Sequence, residues 1–149
     1  MAAFIGQAVT AEIALTAATA KTILQVTAPA NHRVKILSYG VSFDGTSSSA
    51  EPVQVRLLRQ TTAGTMTSLT PTKRDNSLSE TLQVTASHTA TAEPTAGDLL
   101  DANEVHPQGG YEFICPQGQE FIIGGGGRVG IECTAPANVN VRAKLVWDE

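Results

Sequence analysis

Apolar and polar residues alternate along most of this chain, most regularly at its C-terminal end. Val139, Val141, Ala143, Leu145 and Trp147 fall on one side of an extended run, and Asn140, Arg142, Lys144 and Asp148 on the other. Val129, Ile131 and Cys133 alternate with Arg128, Glu132 and Thr134 in the same way, and Val53, Val55 and Leu57 with Gln54 and Arg56. Successive side chains of a strand point to opposite faces, so each run predicts one buried and one wet face. Strands are expected near Lys21–Thr27, Arg33–Phe43, Val53–Gln60, Thr81–Ala86, Asp98–Val105, Tyr111–Cys115, Glu120–Ile123, Arg128–Thr134 and Val139–Trp147. No segment carries a convincing helical stripe. Its nearest approach, TAEIALTAATAKTIL, is rich in Thr and reads at least as well as a strand or an extended arm.

Many short strands separated by turn residues predict an all-β chain, an antiparallel β-sandwich of about eight to ten strands. Residues 1–18 form an N-terminal arm or a first strand, and 19–149 a single sandwich domain. The run RVKILSYGVSF changes phase. Val34 and Ile36 share one face, and Leu37, Tyr39, Val41 and Phe43 the other, which predicts a bulge or burial on both sides.

The pentapeptide TAPAN occurs twice, at residues 27–31 and 134–138, each time between two alternating runs. The spacing of the copies fits no solenoid or propeller period. Proline lacks a ladder donor and fixes φ for a turn, and Asn tolerates left-handed backbone, so both copies read as hairpin turns between antiparallel strands. Two stretches, 59–80 and 86–98, look irregular; loops that long in a compact domain commonly serve contacts.

The 149 residues suit one domain that is stable without disulfides or metals. A net charge of -4, with 16% charged residues, argues against nucleic-acid binding, which needs clustered cations. MAAFIGQAVT has neither a basic segment nor a long apolar run, so neither a secretory signal nor a membrane span is expected.

No catalytic set emerges from the sequence. GGGG at 124–127 lacks the following Lys-Ser/Thr and helix of a phosphate loop, and reads as a flexible turn. His32, His88 and His106 lie in or beside expected turns without metal-ligand spacing. Cys115 and Cys133 end strands and read as buried free thiols. Asp98, Asp101 and Glu104 cluster in sequence, but Asp101 points away from the other two in an extended chain. One Trp, on the core face, gives a sugar groove little support.

The run GGYEFICPQGQEFIIGGGGRVGIECTAPANVNVRAKLVWDE, a strand, a PQGQ turn, a strand, a glycine loop and a strand pair, resembles the end of the head decoration, or cement, proteins of tailed phages. VKILSYGVSFDGTSSSAEPVQVRLLRQ fits the same plan more loosely. The resemblance implies a jelly-roll β-sandwich, often trimeric, that binds the major capsid protein and stabilises the virion surface. It implies no enzyme activity and no cofactor; no metal site and neither a nucleic-acid nor a membrane partner is expected from the residues themselves, and synthesis is expected in a host bacterial cytoplasm. The alternatives are a carbohydrate- or receptor-binding sandwich, or another phage head or tail component. Candidate protein contacts are Phe4, Ile5, Lys73, Arg74 and Asp75, with Leu37, Tyr39, Val41 and Phe43 as either a subunit contact or ordinary core.

Overall fold

A computed structural model describes residues 4–149. Among them are thirteen strands and no helix: β1 Ile5–Val9, β2 Ile13–Leu15, β3 Ala20–Thr27, β4 Val34–Phe43, β5 Val53–Gln60, β6 Thr65–Leu69, β7 Thr72–Lys73, β8 Thr85–Ala92, β9 Ala96–Val105, β10 Gly110–Ile114, β11 Phe121–Ile123, β12 Arg128–Thr134 and β13 Val139–Asp148. They form two antiparallel sheets packed face to face. The front sheet has the order β10-β4-β13-β1-β7, with β11 also pairing β4 and β2 also pairing β13. The back sheet runs β6-β8-β3-β12-β5-β9. The strand number exceeds the sequence expectation because the N-terminal segment supplies β1 and β2, an interrupted line along β13, and because β6 and β7 lie in a stretch that looked irregular. Residues 4–18 supply β1 and β2, so this part of the N-terminal segment is built into the front sheet; residues 1–3 lie outside the described residues.

The alternation places the core as expected. Cross-strand register aligns Ala8, Leu145, Tyr39 and Phe113 on the inner face of the front sheet, and Gly6, Trp147, Ile36 and Phe121 in the next row. Facing them, Leu24, Ile131 and Leu57 line up in the back sheet, all fully buried. Apolar area removed from water here drives folding at about 25 cal/mol per Å². The phase change in β4 is a bulge. Val146 pairs Ser38 but Trp147 pairs Ile36, which leaves Leu37 as the extra residue.

No two strands adjacent in sequence pair with each other among the described residues. The hairpin reading of TAPAN is therefore corrected. The first copy carries the chain from β3 in the back sheet to β4 in the front sheet, and the second from β12 in the back sheet to β13 in the front. Both copies are arches that cross the sandwich, and both put their first alanine inside it: Ala28 is 2% exposed and Ala135 0%. A small side chain is needed where the backbone itself passes between the layers. Each arch rests on another crossing. Gly126 N donates to the carbonyls of Ala28 and Pro29, both at 3.2 Å, so the glycine loop stacks on the first arch. A Cβ on Gly125 would stand 2.7 Å from the Ala30 carbonyl oxygen, which explains a glycine there. At the second arch, Ala18 N donates to Ala135 O (2.7 Å) and Ala17 N to Asn138 Oδ1 (2.8 Å).

The two stretches that looked irregular fold back on the sandwich. The strand expected at Thr81–Ala86 begins at Thr85 and continues to Ala92, so His88 lies on a strand and not in a turn. Thr89, at φ 55°, bends it. Beyond the bend, Glu93 caps a polar strip on the outer side of the back sheet. Thr22 donates its backbone N–H and hydroxyl to the Glu93 carboxylate (2.9 and 2.7 Å). Gln60 Nε2 donates to Thr22 Oγ1 (3.0 Å), and Gln25 Nε2 to Gln60 Oε1 (2.6 Å). A Cβ on Gly130 would meet Gln60 Oε1 at 2.4 Å, so the glycine makes room for that amide.

Candidate functional site

Three places gather chemistry-bearing side chains. The first is the side of the sandwich where edge strand β9 faces β10 and β11. Tyr39 is fully buried, and its hydroxyl donates to Asp101. Asn103 Nδ2 donates to Asp101 Oδ2 (3.2 Å) and lies 3.4 Å from the Tyr39 oxygen. Tyr39 packs at 6.0 Å from Tyr111 and 6.2 Å from Phe113, which packs on Phe121 at 6.1 Å. Burial first, and then the Asp101 hydrogen bond, push the Tyr39 phenol well above its ordinary range. Arg59 Nη1 reaches across to Ile122 O (2.7 Å) on the same side. These groups tie the two sheets together. A phenol so disposed is held protonated, which makes it a donor and not a base.

The second is a cleft of about 780 Å³ beside the second TAPAN arch, bordered by Asp44, Glu51, Pro107, Pro136, Asn138 and Asn140. Asn140 holds it together: its N and Nδ2 donate to Asp44 Oδ1 and Oδ2 (both 2.9 Å), and Nδ2 also to Glu12 Oε1 (2.7 Å). The side-chain bond from Asn140 is the main cause of an Asp44 carboxyl held below the usual range. The rim is acidic and hydroxylated, a lining that disfavours anions.

The third is a shallow groove of about 400 Å³ on the outer face of the front sheet, floored by Gly40 and Ser42 and edged by Val9, Glu112, Arg142 and Lys144. Lys144 Nζ pairs with Glu112 Oε1 at 2.9 Å.

The residues singled out from the sequence fall in different places. Tyr39 (0% exposed) and Val41 (5%) fill the interior of one chain, Phe43 packs against it, and Leu37 is the half-buried bulge residue. Phe4 and Ile5 are half-buried; Phe4 O accepts Glu149 N (3.1 Å) and Ile5 O accepts Arg74 N (2.9 Å). Lys73 Nζ donates to the carbonyls of Leu78 (2.6 Å) and Glu80 (3.0 Å), Arg74 Nε to Gln7 Oε1 (3.0 Å), and Asp75 accepts from Ser77. The Lys73–Asp75 turn is thus fastened to its own domain, with Arg74 and Asp75 exposed. His32 sits in the first arch, 3.9 Å from Glu149, and His106 is exposed after β9. Cys115 and Cys133 are free and buried, and desolvation raises both thiols. Sequence reasoning missed the Tyr39–Asp101 pair and the Asn140 hub. A Tyr on the inner face of a strand needs a hydroxyl partner, which was the available signal for the first. The second joins residues from distant segments and left no local signal.

Among the described residues no group of three or more His, Cys, Asp or Glu is gathered closely enough to hold a metal ion. No helix among them is long and apolar enough to cross a membrane. No protein-family model, curated protein or solved structure matches the chain.

Proposed function

We propose that this chain is a non-enzymatic structural protein of a phage virion, a jelly-roll subunit that binds the major capsid protein and braces the shell as a trimer. The observation that carries this reading is where the exposed apolar side chains stand. Val9 and Ile114 lie on the broad outer face of the front sheet and Leu99 on an edge strand, not in an enclosed cavity. Apolar side chains on open surfaces suit docking against protein. The likeness of residues 109–149 to decoration proteins points the same way; those residues form β10 to β13, with β12 and β13 central in their sheets. Connections that cross between sheets suit a jelly-roll winding and a stiff body.

The test is cosedimentation of the purified protein with expanded empty heads of the phage that encodes it. Saturable binding, with heads that resist heat or low salt better when loaded, is the expected result. A protein that stays in the supernatant at every concentration sinks the proposal. The acidic, amide-lined cleft of about 780 Å³ favours a second reading, a carbohydrate- or receptor-binding module. Specific signal on a glycan array, lost in Asn140→Ala, would replace the first reading with that one.

A further inference from the structure

We infer that Asp44–Gly45 is a latent site of spontaneous backbone isomerisation, and that Asn140 keeps it closed in the folded chain. The inference goes beyond the reading above and does not depend on it.

Of the 13 glycines, only Gly45 follows an Asp or Asn. In that pairing the main-chain nitrogen reaches the preceding side-chain carboxyl most easily, because the glycine has no side chain to obstruct the approach. Asp44 is exposed, so water reaches it. The Gly45 nitrogen attacks Cγ of the protonated Asp44 carboxyl. An N–Cγ bond forms, the C–OH bond breaks, and the hydroxyl leaves with the amide proton as water. The resulting succinimide then takes up water. Opening at Cγ restores aspartate, whereas opening at the main-chain carbonyl gives isoaspartate, whose backbone runs through Cβ and Cγ.

The fold itself calls for this vulnerable pair. A Cβ at Gly45 would stand 2.6 Å from the Pro107 carbonyl oxygen and 2.9 Å from Pro107 Cβ, so packing demands the glycine. Asp44 answers Asn140: its Oδ1 and Oδ2 accept Asn140 N and Nδ2, both at 2.9 Å, and its N–H donates to Asn140 O (3.3 Å). The same contacts disarm the pair. With both oxygens engaged, the side chain is fixed and its ionised form favoured, and a carboxylate is a poor electrophile. The Asn140 side chain is the main cause of an Asp44 carboxyl held below its usual range. The Gly45 N–H donates to Pro107 O (2.8 Å), so nucleophile and electrophile are tied to different partners. Reaction needs the two atoms close and aligned, and these bonds must open locally first. An isoaspartate at 44 would carry its carboxylate away from Asn140 and loosen the cleft that both residues border.

Incubation at pH 6 and 37 °C tests this, with isoaspartate located by electron-transfer fragmentation. The reference is the tryptic peptide of residues 36–56, in which the pair is unrestrained. The native chain should form isoaspartate at 44 at least about tenfold more slowly than the peptide. Asn140→Ala should move the folded chain most of the way to the peptide rate, with unchanged circular dichroism. Asn138→Ala, which frees Ala17 N at the same arch and leaves Asp44 alone, should keep the native rate. If Asn140→Ala does not fold, Asn140→Val removes the same amide and suits the strand better. A native chain that isomerises as fast as the peptide would overturn the inference. So would a folded Asn140 variant as slow as the native chain, or equal acceleration in Asn138→Ala, which would mark general loosening of the arch.

Discussion

The Tyr39 hydroxyl, carried on the front sheet, donates to the Asp101 carboxylate on the edge strand of the back sheet. The two residues are 62 apart in sequence, and their bond spans the open side of the sandwich. Asn103 supports the same carboxylate, and the Tyr39 ring is enclosed by Tyr111 and Phe113. An edge strand is weakly held, because only one neighbour shares its ladder. The clasp gives β9 a second attachment, through a side chain, to the opposite layer.

Tyr39→Phe keeps the ring and removes only the donor to Asp101. The expected loss is about 1–2 kcal/mol, toward the low end for a bond to a charged group because Asp101 is half-exposed. The pH dependence has a defined sign. Tyrosine in the unfolded chain ionises near pH 10, by general values, and the folded value is raised. This contribution is fully present below that unfolded pKa and is lost as pH rises above it. Urea midpoints from pH 8 to 11 should fall less steeply in Tyr39→Phe than in the native chain. Parallel alkaline limbs would show that the phenol does not contribute.

The repeated alanine in the two arches gives a matched pair of tests. Ala28→Leu and Ala135→Leu place extra methylenes between the layers and should each cost about 1–3 kcal/mol. Ala30→Leu and Ala137→Leu, at exposed positions of the same pentapeptides, should stay within about 0.5 kcal/mol. Equal effects at all four positions, read by thermal melting, would contradict the arch geometry.

Local patterns were legible, and long-range pairings were not. Alternation around Val129 to Trp147 located β12 and β13, and the slipped phase at Leu37 located the bulge, because side-chain period and burial are written residue by residue. TAPAN showed that the chain turns but not where it goes. Pro and Asn suit a crossing between sheets as well as a hairpin, and without hairpin pairs among the described residues there is no local cue to partners. The strands β6 to β8 were obscured by Thr, Ser and Ala, which give little contrast between faces; their order depends on partners such as Glu93 and Thr22, 71 residues apart. The Asn140 hub was hidden for the same reason, since Glu12 and Asp44 reach it from separate segments.

Glu93 anchors the bend after β8 through Thr22. Glu93→Ala removes the acceptor for a backbone N–H on a residue that is fully buried. An unmet buried donor costs about 1–3 kcal/mol. The effect should also be local. Amide exchange should quicken over 61–69 and 89–96 while β12 and β13 keep their protection. Uniform acceleration across the chain would mean that the bend is not a separate unit.

Gly6 lies under the indole of Trp147. A Cβ there would stand 2.8 Å from Cε2 and Nε1 of a ring that is fully buried. The ring is rigid and bounded by the inner rows of the front sheet, so it cannot turn aside as a flexible chain end could. Gly6→Ala should therefore destabilise, by about 1–3 kcal/mol, through overpacking. The gain in backbone order from replacing glycine, about 0.4–1 kcal/mol, works in the opposite direction but is smaller. The chain has a single tryptophan, so its fluorescence reports this contact directly. A lower melting temperature with a red-shifted native emission is the expected outcome. A variant that melts as the native chain does, with unchanged emission, would show that β1 can lift away from β13 at little cost, and with it that the N-terminal strand is held by its ladder more than by its packing.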